Sequence, residues 1–314
     1  MIERVLELEP GRGVVVLYSG GRDSTALLDL AVRIAGRDSV LALHVNYGLR
    51  DDAAADEQHC AEMCRRLGVA LEVRRPRRPE SGNLQAWARD VRYGEAAQLA
   101  DGGDVAAGHT ATDQVETILY RLASSPSRRA LLGMRPREGT LIRPLLRFTR
   151  EQTTAYCSER GLEWREDTSN VSLEFARARV REQLVPALRT VHPAAEENVL
   201  ALAEVLRDEA DVLEALVDEV LGGKQEIALA QLRDLPAALR RLVVQRLADA
   251  AIGGPAAGVG RRAEEVAALP THGRASIDLP RGVRAVVDHG ILHFVRRTRE
   301  RGQRESSTPI IKKK

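Results

Sequence analysis

Aromatic residues make up only 3% of this 314-residue chain, as two Trp, five Tyr and three Phe. That scarcity excludes a core built on ring stacking and leaves few platforms for unstacked bases, so Ala, Val and Leu must fill the interior. Cysteine is equally sparse. Cys60, Cys64 and Cys157 show no C-x-x-C spacing and no histidine at zinc-finger distance, which excludes a disulfide framework and a structural zinc site and suits a reducing compartment. Cys60 and Cys64, four residues apart, are expected on one helical face as packing residues. Long apolar runs are missing too: nowhere do 18 apolar residues follow one another, and Met1-Ile2-Glu3-Arg4 does not open a basic region followed by an apolar core. The expectation is a cytoplasmic protein with no membrane contact.

Net charge is also nearly absent, at +2, but the charges are segregated. Arg128, Arg129, Arg135, Arg137, Arg143, Arg147 and Arg150 share their stretch with Glu138 alone, whereas residues 194–220 are rich in Glu and Asp. Such blocks predict a local surface for a polyanion rather than a uniformly basic protein.

What is present in quantity is alternation. Strand-sized apolar runs at 14–18, 39–45, 69–73 and 104–107 are separated by helical patterns ending near 35, spanning 52–67 and 83–100, and starting near 111. This predicts an α/β fold, a parallel sheet with helices on both faces, whose ligands gather at the carboxyl ends of the strands. Helices follow near 149–160 and 174–189, then an amphipathic helix over the acidic stretch and a hairpin at 274–278 and 283–287. The length suits a catalytic domain over 1–190, a smaller, mainly helical domain over 191–298 and a basic, disordered tail over 299–314.

The most informative string is Ser19-Gly20-Gly21-Arg22-Asp23-Ser24, between the apolar run 14–18 and the helical pattern beginning at Thr25. A strand that enters a helix through two glycines aims backbone N–H groups and a positive helix end at one point, as a polyphosphate requires. Asp23 adds a carboxylate for a divalent cation. The string lacks the Gly-Lys-Ser/Thr ending of the Walker pattern. It resembles the SGGxDS loop of the PP-loop ATP pyrophosphatases, which cleave ATP between its α and β phosphates.

A second cluster follows the fourth apolar run, in Ala107-Gly108-His109-Thr110-Ala111-Thr112-Asp113-Gln114-Val115-Glu116. With Thr110 as N-cap of a helix starting at Ala111, Asp113 and Glu116 share a face and His109 leads into it. His44 and Asn46 close the second strand, where Asn46 offers a donor and an acceptor to an adenine edge. Arg89 lies on the helical Asn83-Leu84-Gln85-Ala86-Trp87-Ala88-Arg89-Asp90-Val91-Arg92-Tyr93, within reach of a triphosphate or a carboxylate.

Taken in order with Arg143-Pro144-Leu145-Leu146, Glu166-Asp167-Thr168-Ser169-Asn170, Arg177 and Arg181, these motifs resemble the bacterial tRNA(Ile)-lysidine synthetase family over residues 10–190. The resemblance implies a two-step reaction. ATP adenylates the oxygen on carbon 2 of the wobble cytidine in tRNA(Ile) with a CAU anticodon, releasing pyrophosphate, and free L-lysine then displaces AMP. It implies ATP contacts at Ser19, Gly20, Gly21, Arg22, Asp23, Ser24, His44 and Asn46, Mg²⁺ on Asp23 and Asp113, and catalytic roles for Asp23, His109 and Asp113. Arg89 and Glu116 would grip lysine, Arg143, Arg177 and Arg181 would contact tRNA, and a homodimer is left open. Three departures stand out: Thr110 and Thr112 replace the second His and first Asp of the family's His-His-x-Asp-Asp-Gln, Ser124-Ser125-Pro126-Ser127 replaces Arg-Gly-Ser-Gly, and Ala178 follows Arg177 where an Asn is usual. Another PP-loop ligase, or an inactive tRNA-binding module, is the alternative reading; a thiolase would need the C-x-x-C cysteines that are missing.

Overall fold

The computed structural model describes residue 5 and residues 7–48, 52–125, 127–166 and 176–297. Two compact units divide the chain, Met1–Leu206 and Arg207–Lys314.

In the first unit, β1 (Val14–Leu17), α1 (Arg22–Ala35), β2 (Val40–Val45), α2 (Ala53–Leu67), β3 (Ala70–Arg74), α3 (Leu84–Ala100), β4 (Asp104–Ala106) and α4 (Ala111–Ser124) alternate as the apolar pattern requires. The short β5 (Arg137–Glu138) and β6 (Leu141–Ile142) follow. Strand order is β3-β2-β1-β4-β6-β5, parallel throughout except for the antiparallel β5/β6 pair. Because the chain builds outward from β1 in one direction and then returns to place β4 on its other side, the carboxyl ends of β1 and β4 flank a switch point. Crevices open there in sheets of this kind.

Alternate residues of β1 feed two cores. Val14, Val16 and Tyr18 join a cluster with Leu27, Leu30, Cys60, Cys64 and Cys157, whereas Val15 and Leu17 pack with Leu43, Ala96 and Val105. The cysteines are therefore packing residues, free and buried.

α5 (Arg150–Glu159) lies against α1. A buried carboxylate fixes the pair, since Asp29 accepts a hydrogen bond from the Tyr156 hydroxyl at 2.6 Å and faces Arg160 at 3.3 Å. Further along, α6 (Ala176–Arg179), one π-helical turn (Val180–Leu184) and α7 (Val185–Val191) are continuous. Val180 and Val185 pack there on Val115 and Leu119 of α4. α8 (Ala195–Leu221) is 27 residues long, and no described helix is long and apolar enough to cross a membrane.

The second unit adds β7 (Glu226–Ala228), α9 (Leu229–Asp234), α10 (Ala237–Ile252), α11 (Ala263–Ala267), β8 (Arg274–Leu279), β9 (Val283–Asp288) and β10 (Ile291–Arg296). Its strands form an antiparallel sheet in the order β7-β10-β9-β8. Val283, Ala285 and Val287 alternate inward to meet Val243, Val244 and Leu247 of α10, the period-2 pattern of a sheet with one covered face.

Candidate active site

The loop after β1 is shaped by its glycines. Gly20 sits at φ +80°, in the left-handed region, and a Cβ there would stand 3.0 Å from Cys60 Sγ. Any side chain would therefore lift the loop off α2. Gly21 is the N-cap of the 14-residue α1 and offers no side-chain cap, so the first-turn N–H groups and the positive helix end are left for an anion. Ser24 Oγ donates to Gly21 O at 2.8 Å and lies 3.1 Å from Ser19 Oγ, which gathers both hydroxyls at the loop mouth. Beside them Asp23 is fixed from two directions: its Oδ1 accepts from Thr153 Oγ1 at 2.5 Å and from Arg22 Nε at 3.2 Å.

The end of β4 is brought onto this loop by a second close approach. A Cβ on Gly108 would lie 3.3 Å from the backbone of Asp23 and Ser24, so any side chain there would press the two crevice walls apart by a few tenths of an ångström. Thr110 then caps α4 in a reciprocal capping box with Asp113, worth about 1 kcal/mol to the helix. Asp113 Oδ2 receives both Thr110 N and Thr110 Oγ1 at 2.9 Å. Burial pushes the Asp113 carboxyl up, but these hydrogen bonds, His109 and Arg150 outweigh it and hold the group below the usual carboxylate range.

His109 is moved the opposite way for a base. Burial lowers it to about 4, and Arg143, Arg92 and Arg177 oppose the pull of Asp113. The imidazole is thus neutral at pH 7, and its buried Nδ1 has no partner among the described residues. One turn along α4, the buried Glu116 is clasped by Arg181, with Nε and Nη2 at 2.6 and 2.9 Å from its two oxygens. Arg177 Nη2 donates to Thr117 Oγ1 at 3.0 Å. Both arginines reach α4 from the segment interrupted by the π-helical turn, a feature frequent at functional sites.

A family model described as a PP-loop domain matches residues 1–188. The chain belongs to the PP-loop family. A tRNA(Ile)-lysidine synthase of Symbiobacterium thermophilum is 37% identical, covering 92% of this chain and 66% of that protein. One from Thermus thermophilus is 35% identical over 79% of this chain and 50% of that protein. The chain therefore spans about half to two thirds of the length of these curated relatives. Among solved structures, a U34-tRNA thiolase from Methanococcus maripaludis shares the fold at a TM-score of 0.53 and 15% identity, over 64% of this chain and 74% of that one.

The PP-loop and the His109, Asp113 and Glu116 trio stand together at the switch point. Other expected contacts sit differently. His44 is buried beneath the PP-loop, with Nδ1 3.0 Å from Tyr18 O and 3.3 Å from Cys60 Sγ. Asn46 turns its amide onto Ala53 O and Glu57 and accepts from Gly48 N at 3.0 Å, which shapes the loop it belongs to. Arg89 is exposed, its guanidinium 4.7 Å from the Tyr93 ring centre.

Arg143, expected on a phosphate-binding surface, is instead 3% exposed. It donates to Arg135 O at 2.6 Å and to Glu138 at 3.2 Å. The reason is local: Ile142, Leu145 and Leu146 around it are all core residues, and they draw the intervening arginine inward. Asp167–Asn170, Leu49, Arg50, Pro126 and the tail from 299 lie outside the described residues.

Contributors that sequence reasoning did not single out are Thr153, which seats Asp23, and Gln114, whose side chain exchanges hydrogen bonds with Met134 N and O at 2.7 and 2.8 Å. Thr112 Oγ1 accepts from the N–H of Arg150, the first residue of α5, at 3.3 Å. For Mg²⁺ the donor set fits. The ion is usually held by one or two carboxylates plus substrate phosphates rather than by a protein cage; Asp23 and Asp113 each have one oxygen engaged by hydroxyl or N–H donors, and the second Asp113 oxygen faces Arg181 at 3.8 Å.

Proposed function

We propose that this chain ligates free L-lysine to carbon 2 of the wobble cytidine of tRNA(Ile) with anticodon CAU, converting ATP to AMP and pyrophosphate in the cytoplasm. The observation that carries the reading is the close approach of Gly108 to Asp23 and Ser24, whose backbone lies 3.3 Å from where a Gly108 Cβ would stand. It makes one site of a loop built for pyrophosphate and a trio able to handle a base and an amine. The names of the curated relatives support the same reading.

In the first step, the cytidine oxygen attacks the α-phosphorus and the α–β bridge breaks. Ser19, the Gly20 and Gly21 backbone and Ser24 hold the departing pyrophosphate. Asp23 and Asp113 would hold Mg²⁺, which when bound spreads the charge that builds on the leaving oxygens. In the second step, the lysine amine attacks carbon 2 and AMP leaves. His109, with a pKa of about 4, is too weak a base to deprotonate an ammonium in the empty site. Its role is to donate a hydrogen bond to the activated oxygen, and the negative charge of bound nucleotide raises its basicity for proton transfer.

Glu116 and Arg89 hold lysine, and Glu116→Gln is expected to raise the KM for lysine about tenfold. The tRNA backbone meets Arg177, Arg181 and the exposed arginines of residues 128–150, with affinity falling steeply with salt. Thiolation is disfavoured because the three cysteines are buried and burial pushes all three thiols up, Cys64 to about 12 and Cys157 to about 11.

The test is one incubation of the protein with the CAU-bearing tRNA, ATP, Mg²⁺ and labelled lysine. Label in RNA with AMP and pyrophosphate formed is the expected result; nucleotide turnover without label in RNA would overturn it.

A further inference from the structure

The chain leaves β3 through Arg74-Arg75-Pro76-Arg77-Arg78-Pro79, and Glu80 is the one acid in residues 75–83. Two of these arginines are neutralised: Arg74 pairs with Glu72 and Glu95, and Arg75 with Glu57. Arg77 and Arg78 are exposed and have no acidic partner among the described residues. Pro76 and Pro79 fix φ on either side of them, so little backbone freedom is left to lose on binding.

Beside this run is a cavity of about 410 Å³ whose lining includes Asn46, Tyr47, Ala53, Arg75 and Pro76, within the roughly 300–1,000 Å³ of small-ligand pockets. The register of the sheet puts these residues together. Val45 pairs with Arg74 at the end of the β2/β3 ladder, and Asn46 N donates to Arg74 O at 2.8 Å, which brings Tyr47 and Arg75 to the same edge. Tyr47 is held by Trp87 of α3, with ring centres 5.6 Å apart at 67°, and its hydroxyl donates to Ala88 O at 2.8 Å. Both rings are half-buried. In a chain only 3% aromatic, a fixed ring pair beside two unpaired arginines joins the two groups that single-stranded nucleic acid needs: cations for its phosphates and a π face for its bases. Paired RNA hides that face of its bases, and an unpaired loop offers it.

We propose that this edge seats one unpaired nucleotide of the tRNA substrate, its base against Tyr47 in the cavity and its flanking phosphates on Arg77 and Arg78. This rests on the reading of the chain as a tRNA ligase. The seat lies at the ends of β2 and β3, outside the β1/β4 crevice that holds the PP-loop, so it takes a nucleotide other than the one that reacts.

The test is binding of the CAU-bearing tRNA to the full chain over a range of salt concentrations. Joint replacement Arg77→Gln and Arg78→Gln should weaken binding about tenfold at physiological salt and lower the slope of log affinity against log salt by about 1.4, the share of two single-strand phosphates. Its melting temperature should not fall, because neither arginine has a partner to lose. Tyr47→Leu should weaken binding about tenfold at unchanged slope, whereas Tyr47→Phe, which keeps the ring and loses the hydroxyl, should bind as wild type. The KM for ATP should stay the same in all three. A wild-type slope in the double arginine variant, or equal losses in Tyr47→Leu and Tyr47→Phe, would overturn the proposal. So would a rise in the KM for ATP with Tyr47→Leu, which would assign the cavity to the nucleotide co-substrate. Binding is read without ligation, so a protein that holds the tRNA through these residues yet incorporates no lysine would overturn the ligase reading and leave this surface standing.

Discussion

At the amino end of β4, Asp104 is 1% exposed and accepts four guanidinium hydrogen bonds, two from Arg12 at 2.6 and 3.1 Å and two from Arg137 at 2.7 and 3.1 Å. Toward the carboxyl end arginines recur, yet His109 after β4, Arg143 after β6 and Arg92 and Tyr93 on α3 hold four buried polar atoms without partners among the described residues. Burial pushes the Asp104 carboxyl up, but its two arginines outweigh that and hold it below the carboxylate range. The same residue type thus closes one end of the sheet and leaves the other incomplete. A completed network contributes stability, whereas an incomplete one is finished by a ligand, and the end left incomplete is the end where α/β sheets bind.

The comparison is broken most sharply by exchanging losses between the ends. Asp23→Asn should lower kcat about 10³-fold, or about 4 kcal/mol in the barrier, with little change in melting temperature. Thr153→Val, which removes the 2.5 Å bond that seats Asp23, should raise the Mg²⁺ concentration needed for half-maximal activity, and Thr153→Ser should restore it. A large fall in thermal stability with Asp23→Asn would show that the carboxyl end, too, is held by its charges.

At the amino end the reverse is expected. Asp104→Asn leaves Arg12 and Arg137 without their carboxylate, and because these are 43% and 38% exposed, water recovers part of the loss. The expected cost is about 2–3 kcal/mol, read as a drop of several degrees in melting temperature. Turnover measured well below the transition should match wild type. A tenfold loss of kcat in a folded Asp104→Asn protein would mean that the two ends are coupled through β4.

How much of this was legible beforehand follows from how local each feature is. β1 to β4, α1 to α5, α8 and the β8/β9 hairpin all announce themselves by periodicity over several residues. β5 and β6 are two residues each, too short for any period, and β5 carries the same Arg137 that reaches Asp104. The PP-loop and the His109 to Glu116 run are legible because each is one contiguous string placed at the end of a strand. Thr153 on Asp23 and Arg181 on Glu116 join residues 130 and 65 positions apart, and nothing local marks them. Arg143 was misleading for the opposite reason. It belongs to an arginine-rich stretch, and the apolar Ile142, Leu145 and Leu146 beside it were the signal that it would be buried.

The smallest effect tests whether His109 is held by the empty site in its neutral form. Its folded pKa of about 4 lies below the ordinary 6.5, so between these values the unfolded chain binds the proton more tightly than the folded one. Stability must then fall as pH falls through that window. Between pH 7 and 5.5 the loss amounts to about 1 kcal/mol from this group, and His109→Gln should abolish that share, so the wild-type and variant stability curves should converge on acidification and separate again above pH 6.5. Asp113, with its carboxyl held low, adds a loss of the same sign only at still lower pH. Saturating nucleotide should flatten the wild-type trend, because phosphate charge raises the basicity of His109 and removes the mismatch with the unfolded chain. A difference between wild type and His109→Gln that stays flat from pH 7 to 5.5 without nucleotide would mean that the imidazole is not desolvated. The carboxyl end of the sheet would then be as fully satisfied as the amino end.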